Sequence, residues 1–119
     1  MNSIETICKT LQQQKTGKNR NKKASTIIDE YGLELTLKIG TRTIDGINSD
    51  SNTSVLEIAS IHVENEFQTS STIRTLISSL YKNAKNMNRV LMIEKPPSWL
   101  ENVALRHGLI KCGDIFYKI

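Results

Sequence analysis

Residues 55–93 constrain the fold most, because they hold two apolar runs separated by an amphipathic segment. Residues 55–63 carry apolar side chains in both alternating sets, which is typical of a central strand covered on two faces. From Ile73 to Ala84 the apolar residues recur at the spacing of one helix face, and residues 89–93 form a second short apolar run. A strand–helix–strand unit of this length makes a right-handed parallel crossover. The loop that opens the helix is therefore predicted to lie where ligands bind in such units.

Length and composition predict one compact domain with a real core, since the chain has 119 residues, of which 38% are hydrophobic. The predicted order is an N-terminal helix (1–14), a basic loop (15–24), an antiparallel meander (33–63), a loop–helix–strand unit (64–94) and a last helix with closing strands (98–119). No run approaches the roughly 18 apolar residues of a membrane span, and the N-terminus lacks the features of a signal peptide. We therefore expect a cytoplasmic protein with no membrane partner.

The cysteines and histidines predict no metal site. Cys8 and Cys112 stand at opposite ends of the sequence without CxxC spacing, and the chain has two histidines. Both cysteines are expected to be small buried side chains.

Basic residues crowd into one short segment, although the net charge is only +4. The segment contains Lys15, Lys18, Arg20, Lys22 and Lys23. Such a cluster contacts nucleic acid or an acidic partner in some proteins, and in others it is a solvated connector. The connector is favoured here because no aromatic residues are interleaved with the charges.

The remaining segments differ in how clearly they are patterned. Residues 24–31 fit a short strand or a helical turn. Residues 33–39 alternate strictly, which predicts a half-buried strand, and Gly40 is predicted to turn the chain so that residues 41–47 return as its antiparallel partner. Ser98 and Glu101 have the spacing of a capping box at the start of the last helix. Residues 109–112 and 115–119 read as two short strands or one bent strand.

The start of the central helix has a recognisable register. Gln68 is followed by Ser71 three positions later, Ile73 five positions later, and aliphatic residues at Leu76 and Ile77. This spacing, together with the order of elements, resembles the GNAT superfamily of acyl-CoA-dependent N-acetyltransferases. In that family the positions of Ser71 and Ile73 are usually Gly and Gly or Ala. Glycine allows the backbone to approach the CoA pyrophosphate closely, and Ile73 is expected to place a branched side chain there.

The resemblance implies an α/β (α+β) fold with a mixed, mostly antiparallel sheet flanked by helices. It also implies acetyl-CoA as cofactor and an amine as substrate. The implied cofactor-binding residues are Ile61, His62, Val63, Gln68, Thr69, Ser70, Ser71, Thr72, Ile73 and Arg74.

The resemblance also assigns the groups that would move protons. Glu57 or His62 is the implied base that takes a proton from the attacking amine. Ala104 stands where family members carry a proton-donating Tyr, and Tyr117 or Ser98 are the alternatives.

Three functions are compatible with this pattern. The first is a small divergent N-acetyltransferase, and the second is a catalytically inactive GNAT-like protein that binds or inhibits a partner. The third is a basic nucleic-acid-binding protein that uses the segment around Lys15 and Lys23. The sequence names neither the acceptor amine nor a protein partner, and it is compatible with a monomer or a homodimer.

Overall fold

The computed structural model describes residues 2–13, 22–28, 32–44 and 53–119. The elements in chain order are α1 (Asn2–Gln13), β1 (Lys22–Ile28), β2 (Leu33–Arg42), β3 (Thr53–Val63), α2 (Ser70–Asn86), β4 (Val90–Glu94), α3 (Ser98–Arg106), β5 (Ile110–Cys112) and β6 (Ile115–Lys118). A single 3-10 turn, Asn65–Phe67, connects β3 to α2 in this part of the chain.

The described strands form one six-stranded sheet in the order β1-β2-β3-β4-β6-β5. Every neighbouring pair is antiparallel except β3 and β4, which are parallel and are joined through α2. The predicted fold class is therefore confirmed: the sheet is mixed and mostly antiparallel, helices flank it, and a strand–helix–strand crossover lies at its centre.

The main core lies on one face of the sheet, where all three helices contribute buried side chains. Ile4 of α1, Leu80 of α2 and Leu100 of α3 belong to a single apolar cluster together with Leu56 of β3. Its neighbour Val55 belongs to a second, smaller cluster with Ile44, Met92 and Tyr117. Because successive residues of a strand point to opposite faces, the smaller cluster covers the other face of the sheet.

The predicted turn at Gly40 is wrong. β2 continues through Gly40 to Arg42, and its partner on this side is β3, with Gly40 opposite Val55. Glycine marks a turn where φ is positive, as at Gly32 (φ 54°), whereas Gly40 is buried within the extended strand. The Arg89 guanidinium reaches this pair and donates from Nη1 to the carbonyls of Gly40 (3.0 Å) and Val55 (3.3 Å). A glycine inside a strand is typical of such close approaches.

The sequence pattern left residues 24–31 open between a strand and a helical turn. Residues 24–28 of this range belong to a strand, β1 (Lys22–Ile28). β1 pairs with β2 over seven residues, from Lys22 opposite Ile39 to Ile28 opposite Leu33. The placement of Lys22 and Lys23 in a basic loop is therefore wrong, since both belong to this strand. β1 pairs along the edge of β2 that faces away from β3, and this pairing includes Lys22 and Lys23. Lys15, Lys18 and Arg20 lie outside the described residues.

The last helix begins one residue earlier than the capping box predicts. Pro97 occupies the N-cap position, and its carbonyl accepts from the backbone N–H groups of Leu100 and Glu101. Ser98 is consequently the first helical residue, and the Glu101 carboxylate contacts Lys111. The closing segment is a pair of short strands, β5 and β6, joined through Gly113 (φ 62°).

Candidate cofactor site

The parallel strands β3 and β4 stay together for only four residue pairs. Pairing runs from Val55 opposite Val90 to Ile58 opposite Ile93, and β4 ends one residue later. β3 continues to Val63 and remains paired with β2 over that length. Within the described part of the chain, no strand pairs with residues 59–63 on the β4 side. β4 is thus paired over four of its five residues, and the space beside residues 59–63 of β3, past the end of β4, is a gap in the sheet.

A β-bulge lies where the gap begins. Leu37 of β2 is opposite Ile58, whereas its neighbour Thr36 is opposite Ser60, so Ala59 is the extra residue in β3. Ala59 and Ser60 are both exposed. A bulge bends its strand and increases the local twist. The pairing with β4 therefore stops beside the bulge and close to the end of β4 at Glu94.

Two helices begin at the open end of the gap. α2 follows β3 and α3 follows β4, and the carboxyl ends of parallel strands lie at the same edge of a sheet. The first-turn N–H groups and the helix dipole make such an N-terminus favourable for an anion. At the start of α2, Thr69 Oγ1 accepts from the Thr72 N–H (3.2 Å), and Ser71 and Arg74 are exposed. Two polar side chains therefore face solvent at this helix start, whereas the Thr72 and Ile73 N–H groups are already bonded to Thr69.

The loop between β3 and α2 is fastened to the end of β3 by Gln68. Its side-chain Nε2 donates to the Val63 carbonyl at 2.7 Å. The N–H of Glu64, the first residue after the strand, donates to the Gly32 carbonyl at 3.1 Å. These contacts hold the loop in place, and the first of them already uses one carbonyl that a ligand lying along β3 would reach.

The side chain of Ile73 does not lie where the resemblance was expected to place it. It is 1% exposed and belongs to the main apolar cluster, so it faces the sheet and not the start of the helix. The helical period explains this orientation, since Ile73, Leu76, Ile77 and Leu80 share one buried stripe. The Ile73 N–H donates to the Thr69 carbonyl at 3.0 Å, so neither its side chain nor its N–H is available to a ligand at the helix start.

Glu57, the first candidate base, is held in an ion pair on the face of the sheet opposite the helices. Its Oε1 accepts from Arg42 Nη1 at 2.9 Å, and Arg42 Nη2 donates to Glu94 Oε2 at 2.6 Å. The hydrogen bond to Glu94 is the largest cause of a raised pKa of Arg42, and the attraction of both carboxylates outweighs desolvation. Arg42 therefore joins carboxylates from the two strands that border the gap.

The pattern of the sequence did not single out Arg42 or Glu94. Their contact depends on the register of β2, β3 and β4, which places residues far apart in the chain on one face. In the sequence, Glu94 could have been noticed only because it directly follows the apolar run of β4, at the end of the strand.

His62, the second candidate base, is exposed on the segment of β3 that extends past β4. It lies opposite Glu34 of β2. Of the proposed proton donors, Tyr117 is buried beside Met92 in the smaller cluster, and Ser98 is exposed at the start of α3. His62 and Ser98 are therefore on segments that border the gap, whereas Tyr117 lies in the small core.

Metal and membrane features are absent from the residues that the structure describes. In these ranges, no group of three or more His, Cys, Asp or Glu side chains is arranged to hold a metal ion. Nor does any helix among them have the length and apolarity needed to cross a membrane.

Comparison with known proteins gives a likeness in fold. No protein-family model matches the chain, and no curated protein sequence matches it. A chain in the crystal structure of the KacTA–DNA complex is similar, with a TM-score of 0.54 and 10% sequence identity over 99% of this chain and 79% of that chain. At this identity the similarity shows a common fold of the mixed α+β class.

Proposed function

We propose that this chain is a divergent GNAT-like N-acetyltransferase that transfers an acetyl group from acetyl-CoA to an amine. The observation that carries the proposal is that β3 extends five residues past its last pair with β4, to Val63, and that α2 begins shortly after it. A thioester with an extended arm fits along such a segment, because no described strand pairs with its backbone on that side. Its anionic diphosphate fits the N-terminus of a helix.

The residues at the gap are suited to this cofactor. The arm would lie along Ile61, His62 and Val63, and the diphosphate would meet the backbone of residues 68–74. Because the Ile73 side chain turns into the core, it leaves the space outside the helix start open, and the exposed Ser71 hydroxyl offers a further donor. Bound acetyl-CoA supplies the acetyl group in an activated thioester.

His62 is the residue that we assign as the base. A ring nitrogen of His62 would take the proton that the amine loses as it attacks, because this side chain is exposed on the segment of β3 that extends past β4. Glu57 is less suited, since one of its oxygens already accepts from Arg42. Ser98, exposed at the start of α3, is the residue that would pass a proton to the departing thiolate. An acetyl-CoA-dependent role of this kind also favours a cytoplasmic location.

A catalytically inactive binding or inhibitory protein is the second candidate. It is favoured by the buried Ala104 at the position of the family's Tyr and by the ion pair that engages Glu57. The hydrogen bond from Gln68 to the Val63 carbonyl also favours this candidate, because that carbonyl is then not available to a cofactor. Nucleic-acid binding is the third candidate. The similar structure is a DNA complex by its description, and the basic segment ends in Lys22 and Lys23 of β1.

Calorimetric titration with acetyl-CoA separates the candidates. A dissociation constant in the micromolar range supports the proposed function, whereas no heat at millimolar ligand favours the binding protein. Binding of a DNA duplex with an affinity that falls steeply with salt, and no response to acetyl-CoA, would favour the third candidate.

Two matched variants then test the assignment of the base. His62→Gln should leave the dissociation constant of acetyl-CoA unchanged and lower the rate of acetyl transfer to a small primary amine. Glu57→Gln should retain the rate of the unmodified chain. The opposite ranking of the two variants would transfer the role of base to Glu57.

A further inference from the structure

β5 (Ile110–Cys112) forms an end of the sheet. Among the described residues no strand pairs along its outer side. A two-residue turn, Gly113 and Asp114, joins it to β6. In such a hairpin the closing pair next to the turn is hydrogen-bonded, and non-hydrogen-bonded and hydrogen-bonded pairs alternate from there along the strands. Cys112 and Ile115 form that closing pair, so the N–H and C=O of Lys111 point away from β6. The edge therefore presents one donor and one acceptor from the same residue.

The charge that would normally protect this edge is turned away from it. Exposed edge strands commonly carry a lysine that prevents pairing with another chain. Here Lys111 Nζ lies 3.3 Å from Glu101 Oε1 of α3 and 5.6 Å from the centre of the Phe116 ring. The ammonium group thus lies on the helix side of its own sheet, and the backbone edge remains approachable.

The exposed apolar side chains of the described residues also gather at this end of the chain. The large hydrophobic residues that are exposed there are Leu105 (42%), Ile110 (51%) and Ile119 (60%). Ile110 lies on β5 itself, and Leu105 lies in the last turn of α3, which leads into β5. On the face opposite the helices, Ile110 stands beside Cys112, which packs on the smaller apolar cluster.

We propose that β5 pairs with β5 of a second copy of this chain to form a symmetric dimer with a continuous sheet. The pairing is antiparallel and centred on Lys111, because that residue presents the outward N–H and C=O. Two-fold symmetry then lets Lys111 exchange two backbone hydrogen bonds with the partner's Lys111. It also places Ile110 directly beside the partner's Cys112, which covers the exposed side chain.

Charge complementarity favours a second copy as the occupant. Like charges directly opposite each other destabilise a strand pair. Each Lys111 brings its own Glu101, so the symmetric contact assembles two ammonium groups and two carboxylates with no net charge. This inference rests on the β5 edge alone and is independent of the proposed acetyl-CoA site.

The register of the pairing can be tested by a disulfide. Opposite residues in a non-hydrogen-bonded antiparallel pair have Cα atoms about 4.5 Å apart, which is within the range that a disulfide bridges. Ile110→Cys should therefore form a cross-linked dimer with the partner's Cys112 under mild oxidation, seen on a non-reducing gel. The unmodified chain and the double variant Ile110→Cys/Cys112→Ser should not, because their cysteines are two positions out of register, which places their Cα atoms beyond the reach of a disulfide. Equal cross-linking in the double variant would overturn this register.

The dimer itself can be tested by sedimentation equilibrium. The unmodified chain should show the mass of a dimer, and Ile110→Lys should shift it to that of a monomer while its circular dichroism stays unchanged. Ser78→Lys, which adds the same charge on the exposed side of α2, should remain dimeric. A monomer mass for the unmodified chain, or a dimer that Ile110→Lys leaves intact, would refute the proposal.

Discussion

Ser71→Glu is the substitution that tests the placement of the cofactor most directly. Ser71 is exposed in the first turn of α2, where an acidic side chain interacts favourably with the helix dipole. We therefore expect the variant to fold with unchanged or slightly higher stability. If the diphosphate of acetyl-CoA is bound at the start of this helix, the same carboxylate should repel it.

The magnitude follows from the position of the residue. A carboxylate at this site would lie on the order of 5 Å from a diphosphate held by first-turn N–H groups. In a water-like dielectric, repulsion from its two charges costs about 2 kcal/mol, or roughly 30-fold in the dissociation constant. Ser78 is an exposed position on the same helix, about 10 Å further along its axis, which is about one Debye length. Ser78→Glu should therefore change the dissociation constant less than about twofold.

The assay is calorimetric titration of both variants and of the unmodified chain with acetyl-CoA at one ionic strength. Thermal unfolding of the same samples shows whether the fold is retained. If Ser71→Glu binds as tightly as Ser78→Glu, the diphosphate does not lie at the start of α2, and the reasoning fails even if the chain binds acetyl-CoA elsewhere.

Three further predictions concern stability. Ile73→Ala should lower the free energy of unfolding by about 3 kcal/mol in urea denaturation, because the 1% exposed side chain fills the core, and a loss under about 1 kcal/mol would contradict its burial. Burial raises the pKa of the Cys8 thiol from 9.0 to about 11, so its contribution to stability is complete below pH 9 and is lost as the pH rises toward 11. Between pH 9 and 11 the free energy of unfolding, measured by urea denaturation, should fall by about 2 kcal/mol less in Cys8→Ala than in the unmodified chain. An equal fall in both proteins would refute the raised pKa of Cys8. Arg89→Met should cost about 2 kcal/mol, measured in the same way, because it removes the donor to the Gly40 and Val55 carbonyls, and an unchanged midpoint would show that water replaces it.

Much of the fold could be predicted because it depends on local periodicity. The buried stripe of α2, including Leu76 and Leu80, lies at the spacing read from the sequence. β3 has apolar residues on both faces up to Ile58, but the bulge at Ala59, which strict alternation does not predict, brings Ile61 and Val63 to the face of Leu56. Gly40 shows where such reasoning fails, since a glycine has the same composition signal in a turn and inside a strand. Its role was decided by the pairing of β2 with β3 and by Arg89, both of which are distant in sequence.

The location of the start of α2 was predictable from the order of elements, but the contacts of the neighbouring side chains were not. The crossover placed the start of α2 at the ends of β3 and β4, as expected from the order of elements. The direction of Ile73 and the contact of Arg42 with two carboxylates required the helix rotation and the strand register. Charged partners on three different strands leave no periodic trace, so the pattern could not reveal them.

The four parallel pairs between β3 and β4 also have a consequence for how the chain folds. β1, β2 and β3 form a sheet from segments consecutive in the chain, and β5 and β6 form a hairpin, so each half requires only short loop closures. The seam between the two halves is the parallel pairing of β3 with β4. It needs α2 to dock first, because the crossover through α2 brings together strands that are distant in the sequence. We expect this seam to form late during folding, after the parts of the sheet on either side of it.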